Sequence, residues 1–213
     1  MSSLFGTREE CLYTKCYCEE NVYKMCERVP INQHQNFFVA FISNSIRCVP
    51  LFAQKAAMVR PYVLWDYHVI LLEEARNQEN LVWDLDTLLE FPCGFDKYWE
   101  GTMQPKDWSI PSEYHRFFRV IPCAAFLESF SSDRSHMVAA DGSWLAPPPS
   151  WDKLCKQGLH NIDDFISMDR NMLSDISQVF NENEMFLRFS SSNDTVCSPS
   201  KDLVVLEPDI QNR

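Results

Sequence analysis

The chain has 213 residues, 46% of them hydrophobic and six of them Trp, which suits one globular domain around a sizeable core. A formal net charge of −11 and no Lys/Arg cluster argue against nucleic acid as a partner and suit a positively charged substrate. No apolar run of about 18 residues predicts a membrane span, and MSSLFGTREEC lacks the apolar stretch of a signal peptide. The expected setting is therefore the cytoplasm, and the nucleus as a second possibility.

Residues 1–10 read as a flexible leader, 11–189 as a single domain and 190–213 as a polar, mobile tail. Within that tail LVVLE (Leu203 to Glu207) has the composition of an edge strand. Four of the nine cysteines crowd the start of the domain as C-x4-C-x-C-x7-C, from Cys11 to Cys26. An odd count with irregular spacing argues against a disulfide framework. The missing C-x2-C pairs and the absence of nearby histidine argue against zinc. No metal site is expected, and most of these cysteines read as small buried hydrophobes.

From Glu19, EENVYKMCERV carries Val22, Met25, Cys26 and Val29 at helical spacing. Glu19 and Glu20 suit the positive end of that helix. Cys18 thus stands at a helix N-terminus, where the macrodipole and free N–H groups are expected to lower a thiol pKa. Strand-like runs follow at Phe37 to Ser43, Cys48 to Gln54, Tyr62 to Glu74 and Asn80 to Phe91. Phe118 to Phe130 reads as a strand leading into a short helix, and NIDDFISMD as a weak helix with Asn161 at its cap. The order predicts an α+β fold: a mostly antiparallel sheet flanked by helices.

Two titratable residues, Asp66 and His68, interrupt the apolar run LWDYHVILL. If Leu72 opposes Asn80 in an antiparallel pair, His68 faces Asp84 on the same side of the sheet. A His–carboxylate pair on a rigid sheet is the orienting half of a nucleophilic triad, and Cys18 is the best nucleophile on physical grounds. The bland readings are a satisfied core histidine and the polar side of an alternating strand. Spacing alone leaves both open.

The motifs CYCEEN (Cys16 to Asn21), FVAFISN (Phe38 to Asn44), WDYHVILL (Trp65 to Leu72), WDLDTLLEFPC (Trp83 to Cys93), FRVI (Phe118 to Ile121), SDRSHM (Ser132 to Met137), the triple proline and NIDDFISMD (Asn161 to Asp169) occur in this order. In these the chain resembles the protein N-terminal glutamine amidohydrolases, from about Cys11 to Met168. The resemblance implies a papain- or transglutaminase-like core with a Cys–His–Asp triad. It implies hydrolysis of an N-terminal Gln side chain to Glu with release of ammonia, feeding the arginine branch of the N-degron pathway. Motif by motif, it puts the nucleophile at Cys18, the base at His68 and the third member at Asp84, with no cofactor. A small single-domain enzyme acting on many chain ends is expected to be a monomer.

The substrates implied are proteins and peptides with a free N-terminal Gln. An enzyme of this kind needs acceptors for the α-ammonium. Asp66 is the first candidate, two residues from His68 on what reads as one strand; Tyr17, Glu19, Glu20 and Asp133 are others, and His136 in SDRSHM is a residue to watch. Other readings remain: a transglutaminase-like acyltransferase or thiol protease, or a non-enzymatic module that binds N-termini.

Overall fold

The structure, a computed structural model, describes residues 4–75, 78–103, 108–156, 158–191 and 204–205. Ten strands and five α-helices are described. The strands are β1 (Phe37–Ser43), β2 (Val49–Phe52), β3 (Tyr62–Trp65), β4 (His68–Glu73), β5 (Leu81–Trp83), β6 (Cys93–Gly94), β7 (Trp108–Ser109), β8 (Phe117–Pro122), β9 (Gln178–Asn181) and β10 (Val204–Val205). The helices are α1 (Cys18–Arg28), α2 (Phe95–Tyr98), α3 (Cys123–Ser129), α4 (Ile162–Ile166) and α5 (Glu182–Phe189).

Six strands form one antiparallel sheet in the order β6-β5-β4-β1-β8-β9. Alternation along β1 sends Phe37, Val39 and Phe41 to one side and Ala40 and Ile42 to the other. The first side packs against Val22, Met25 and Cys26 of α1, Phe126 of α3 and Phe165 of α4. The second packs against Tyr98, Trp99, Met185 and Phe189. Helices therefore cover both faces, and the expected α+β architecture holds. The helix expected from Glu19 begins one residue earlier, so Cys18 is its first residue.

Three expectations need correction. Tyr62 to Glu74 is not one strand: β3 pairs with β2 in a separate two-stranded sheet, and Asp66 and Tyr67 form the break before β4 enters the main sheet. Two residues of backbone thus leave the ladder, and Asp66 is exposed where a continuous strand would have buried it. Asn80 to Phe91 is a strand only as far as Trp83, because the DLDT segment turns away to bond residues 53–55 through Lys55 N–H to Asp86 O and Leu88 N–H to Ala53 O. Finally, the segment read as a flexible leader supplies Phe5, fully buried and edge-on to Trp83 at 4.7 Å.

In the segment read as a mobile tail, Val204–Val205 pairs in parallel with Trp108–Ser109, the edge-strand docking that LVVLE suggested. Its other residues beyond Ser191 lie outside the described ones. Among the described residues, no helix is long and apolar enough to cross a membrane.

Candidate active site

His68 opens β4 and Asp84 follows the last residue of β5. The assumed register, His68 opposite Asp84, is two residues out: Leu71 pairs with Trp83 and Leu72 with Val82. A slip of two preserves the face, so the side chains still meet, diagonally, past the end of the ladder. His68 Nε2 lies 3.0 Å from Asp84 Oδ1, and both side chains are 1% exposed.

Asp84 is saturated. Oδ1 accepts from His68 and from the Asp86 N–H at 2.9 Å; Oδ2 accepts from Tyr98 Oη at 2.8 Å and Gln54 Nε2 at 3.1 Å. That fills about four lone-pair sites. Burial pushes the Asp84 carboxyl pKa up, but the charge and hydrogen bond of His68, with the Asp86 and Gln54 donors, outweigh it and hold the group at about 2. Burial likewise opposes the His68 cation, yet Asp84, Asp86 and Glu19 raise its pKa above the usual imidazole value. An ionised Asp84 only accepts, so Nε2 carries a proton. In the neutral ring Nδ1 is then the basic nitrogen, and it is buried without a hydrogen-bond partner among the described residues. Trp65 stacks on the ring at 5.6 Å and fixes its plane.

Gln54 and Tyr98 were not legible as site residues in the sequence. They come from a loop beside β2 and from α2, far along the chain from Asp84. The bridge between Gln54 and Thr87 is what brings Gln54 under the DLDT turn.

Cys18 is half-buried at the start of α1, which packs on β4. Because β5 pairing stops at Leu71, His68 and Val69 have no β5 partner among the described residues, and the Val69 N–H favours negative charge on the Cys18 sulfur. The expected low thiol pKa is not found. Burial pushes it well up, Glu19 and Asp86 push it further, the Val69 N–H opposes them, and Asp66 adds to the rise. A helix end is a partial charge; here it faces whole carboxylate charges and desolvation.

Among the described residues His68, Asp84 and Asp86 offer potential ligand atoms within 4.8 Å of one another. Hydrogen bonds already use these atoms: His68 Nε2 donates to Asp84, and Asp86 accepts from Tyr13 Oη at 2.5 Å. The arrangement suits an oriented imidazole better than a cation.

The expected substrate-binding residues are spread out. Tyr17 is buried and its hydroxyl donates to Ala146 O at 3.1 Å. Asp66 is exposed, and its Oδ1 accepts the Tyr67 N–H at 2.9 Å. Asp133 pairs with His160 Nδ1 at 3.0 Å. Glu20 is locked by Arg134, at 2.7 and 2.8 Å, and by Trp151 Nε1 at 2.7 Å. Glu19 is fully buried: Oε2 takes Tyr67 Oη at 3.0 Å, while Oε1 has no hydrogen-bond partner.

The family model for N-terminal glutamine amidase matches residues 13–189. The chain belongs to this family. It is 43% identical over 164 residues to the protein N-terminal glutamine amidohydrolase of Danio rerio, covering 75% of this chain and 81% of that one. It is 39% identical over 192 residues to the Homo sapiens protein of the same name, covering 87% and 91%. The Drosophila melanogaster protein of that name is 45% identical over 170 residues, covering 78% and 82%. The family match spans Cys18, His68, Asp84 and the Gln54 and Tyr98 donors that surround them.

Proposed function

We propose that the chain is a cysteine-dependent hydrolase that converts an N-terminal Gln of a protein or peptide to Glu and releases ammonia, on a papain- or transglutaminase-like core. Membership of the N-terminal glutamine amidase family supports the reaction. The observation that carries the chemistry is the buried His68–Asp84 pair, whose unpartnered Nδ1 is available for proton transfer.

In this reading Cys18 rests as a thiol. His68 Nδ1 takes its proton as Sγ attacks the side-chain Cδ of Gln, so attack and deprotonation are coupled. The carbonyl oxygen becomes an oxyanion held by N–H groups of the first turn of α1, which lack partners within the helix. The C–N bond breaks, the amide nitrogen takes the proton from His68, and ammonia leaves a thioester on Cys18. Water then gives a proton to His68 and attacks the thioester; the Glu side chain departs and the sulfur recovers its proton. No cofactor is required.

The product, an N-terminal Glu, would enter the arginine branch of the N-degron pathway. Cys11, Cys16, Cys18, Cys26, Cys93, Cys123 and Cys155 are free thiols, which supports a reducing compartment, the cytoplasm or nucleus. A monomer suffices, since every residue invoked lies on one chain.

The test is ammonia release and a mass gain of about one dalton on a peptide with N-terminal Gln, with wild type and Cys18→Ala. Turnover by wild type alone is expected. Peptide cleavage, or incorporation of an added amine in preference to water, would replace this reading with a protease or an acyltransferase.

A further inference from the structure

Glu19 follows the nucleophile directly and is wholly buried, yet one of its oxygens is idle. Oε2 receives Tyr67 Oη at 3.0 Å and lies 3.6 Å from Cys18 Sγ. Oε1 has no donor. Across from it stands His136 Nε2 at 3.6 Å, too long for a hydrogen bond. Both ring nitrogens of His136 are themselves without partners. Its ring is held in place by stacking on His160 at 5.4 Å, and His160 is anchored by Asp133. A buried carboxylate oxygen and an imidazole nitrogen, each unsatisfied and facing each other across a gap, are expensive to maintain unless a ligand closes the gap.

We propose that Glu19 Oε1 and His136 Nε2 together seat the α-ammonium of the substrate, making Glu19 the residue that restricts the reaction to chain ends. This deepens the amidase reading and rests on it. An ammonium nitrogen at about 2.8 Å from both atoms closes the triangle over the 3.6 Å gap. One ammonium hydrogen is donated to the carboxylate and one to a neutral imidazole.

The distance to the reacting carbon also fits. Four bonds separate the α-nitrogen of Gln from Cδ, so they lie at most about 5 Å apart. The nucleophilic sulfur is 3.6 Å from the other oxygen of the same carboxylate. A Gln held at Oε1 therefore presents its amide carbon at Cys18. An internal Gln, whose α-nitrogen is a peptide amide with one hydrogen and no charge, leaves Oε1 unneutralised and adds chain where His136 stands.

Seating the cation also acts on the nucleophile. The Glu19 charge is one cause of the raised Cys18 pKa, and an ammonium at Oε1 offsets it. The correct substrate thus helps to ionise the thiol that attacks it.

The experiment compares two peptides of equal length: one with N-terminal Gln, the other with its α-amine replaced by hydroxyl. Wild type is expected to prefer the amine by about 100-fold in kcat/KM. In Glu19→Gln the amine substrate should fall about 100-fold relative to the hydroxyl analogue, so the preference collapses. His136→Ala, a change at a partly exposed residue, should lower the preference about tenfold and serves if Glu19→Gln does not fold. Equal losses on both peptides, with the preference intact, would overturn the proposal and leave Glu19 a structural residue. Wild type inactive on both would instead remove the amidase reading beneath it.

Discussion

His68 and Asp84 meet although neither lies opposite the other in the sheet. The Leu71–Trp83 pair ends the ladder, and the imidazole and carboxylate approach to 3.0 Å beyond it. The carboxylate is so fully hydrogen-bonded that its role is positional: it holds the tautomer and plane of the ring. Asp84→Asn keeps the size but reverses the donor sense toward Nε2. We expect kcat to fall about 10³- to 10⁴-fold with KM changed little, as read by steady-state ammonia release. Tyr98→Phe removes one of four donors to Asp84 and should cost about tenfold.

The same pair sets a stability window. The Asp84 pKa is lowered from 3.8 to about 2 on folding, so its contribution is complete above 3.8 and is lost as pH falls through 2. The shift corresponds to about 2 kcal/mol. The His68 pKa is raised from 6.5, so its contribution is complete below 6.5 and is lost as pH rises through the folded value. Urea midpoints across pH should show an excess of wild type over Asp84→Asn that is largest between about pH 4 and 6.5. An excess that grows steadily above pH 7 would contradict this account.

Cys18 should behave as a poorly ionised thiol in the free protein. Iodoacetamide modification, followed by mass mapping at Cys18, should show a midpoint above 9.0, the unperturbed value. Glu19→Gln removes a negative charge beside the sulfur and should move that midpoint down, speeding modification several-fold at pH 8. Faster alkylation together with slower Gln turnover in one variant separates loss of a substrate contact from loss of the fold. A midpoint below 7 in wild type would restore the thiolate expected from the helix end alone.

Phe5 tests whether the first ten residues belong to the domain. It is fully buried between Trp83 and Phe37, with ring centroids 4.7 and 6.2 Å away. Phe5→Ala should destabilise the fold by about 3 kcal/mol in urea denaturation. Because Trp83 precedes Asp84, activity near the melting range should fall with it. An unchanged midpoint would return the segment to the status of a leader.

Much of this was legible in the residues. Phe37 to Ser43 is legible with its observed bounds, since both its faces are buried and six apolar residues run unbroken before Ser43. The helix spacing of Val22, Met25 and Cys26 placed Cys18 at a helix start, and the period of two placed His68 and Asp84 on one face even with the register two residues out. The break at Asp66 and Tyr67 was hidden, because the apolar residues on either side serve two different sheets and their pattern continues across it. Gln54 and Tyr98 gave no signal: each acts through one long-range hydrogen bond, which leaves no periodicity. The Cys18 pKa was misjudged because a helix end is visible in sequence, whereas Asp86 and Asp66 approach the sulfur only through the fold.

The start of α1 places three unlike groups on consecutive residues. Cys18 borders Val69, Glu19 faces Tyr67 and His136, and Glu20 grips Arg134, which also reaches the Trp151 carbonyl. Successive helical positions are about 100° apart, so this one turn works like a three-spoked hub. A single-residue insertion or deletion between Glu20 and Val22 would turn the hub as a unit relative to the face that Val22, Met25 and Cys26 pack on the sheet, swinging sulfur, carboxylate and loop anchor away from their targets together. Separate point changes can be compensated one at a time; a change of phase at this position cannot.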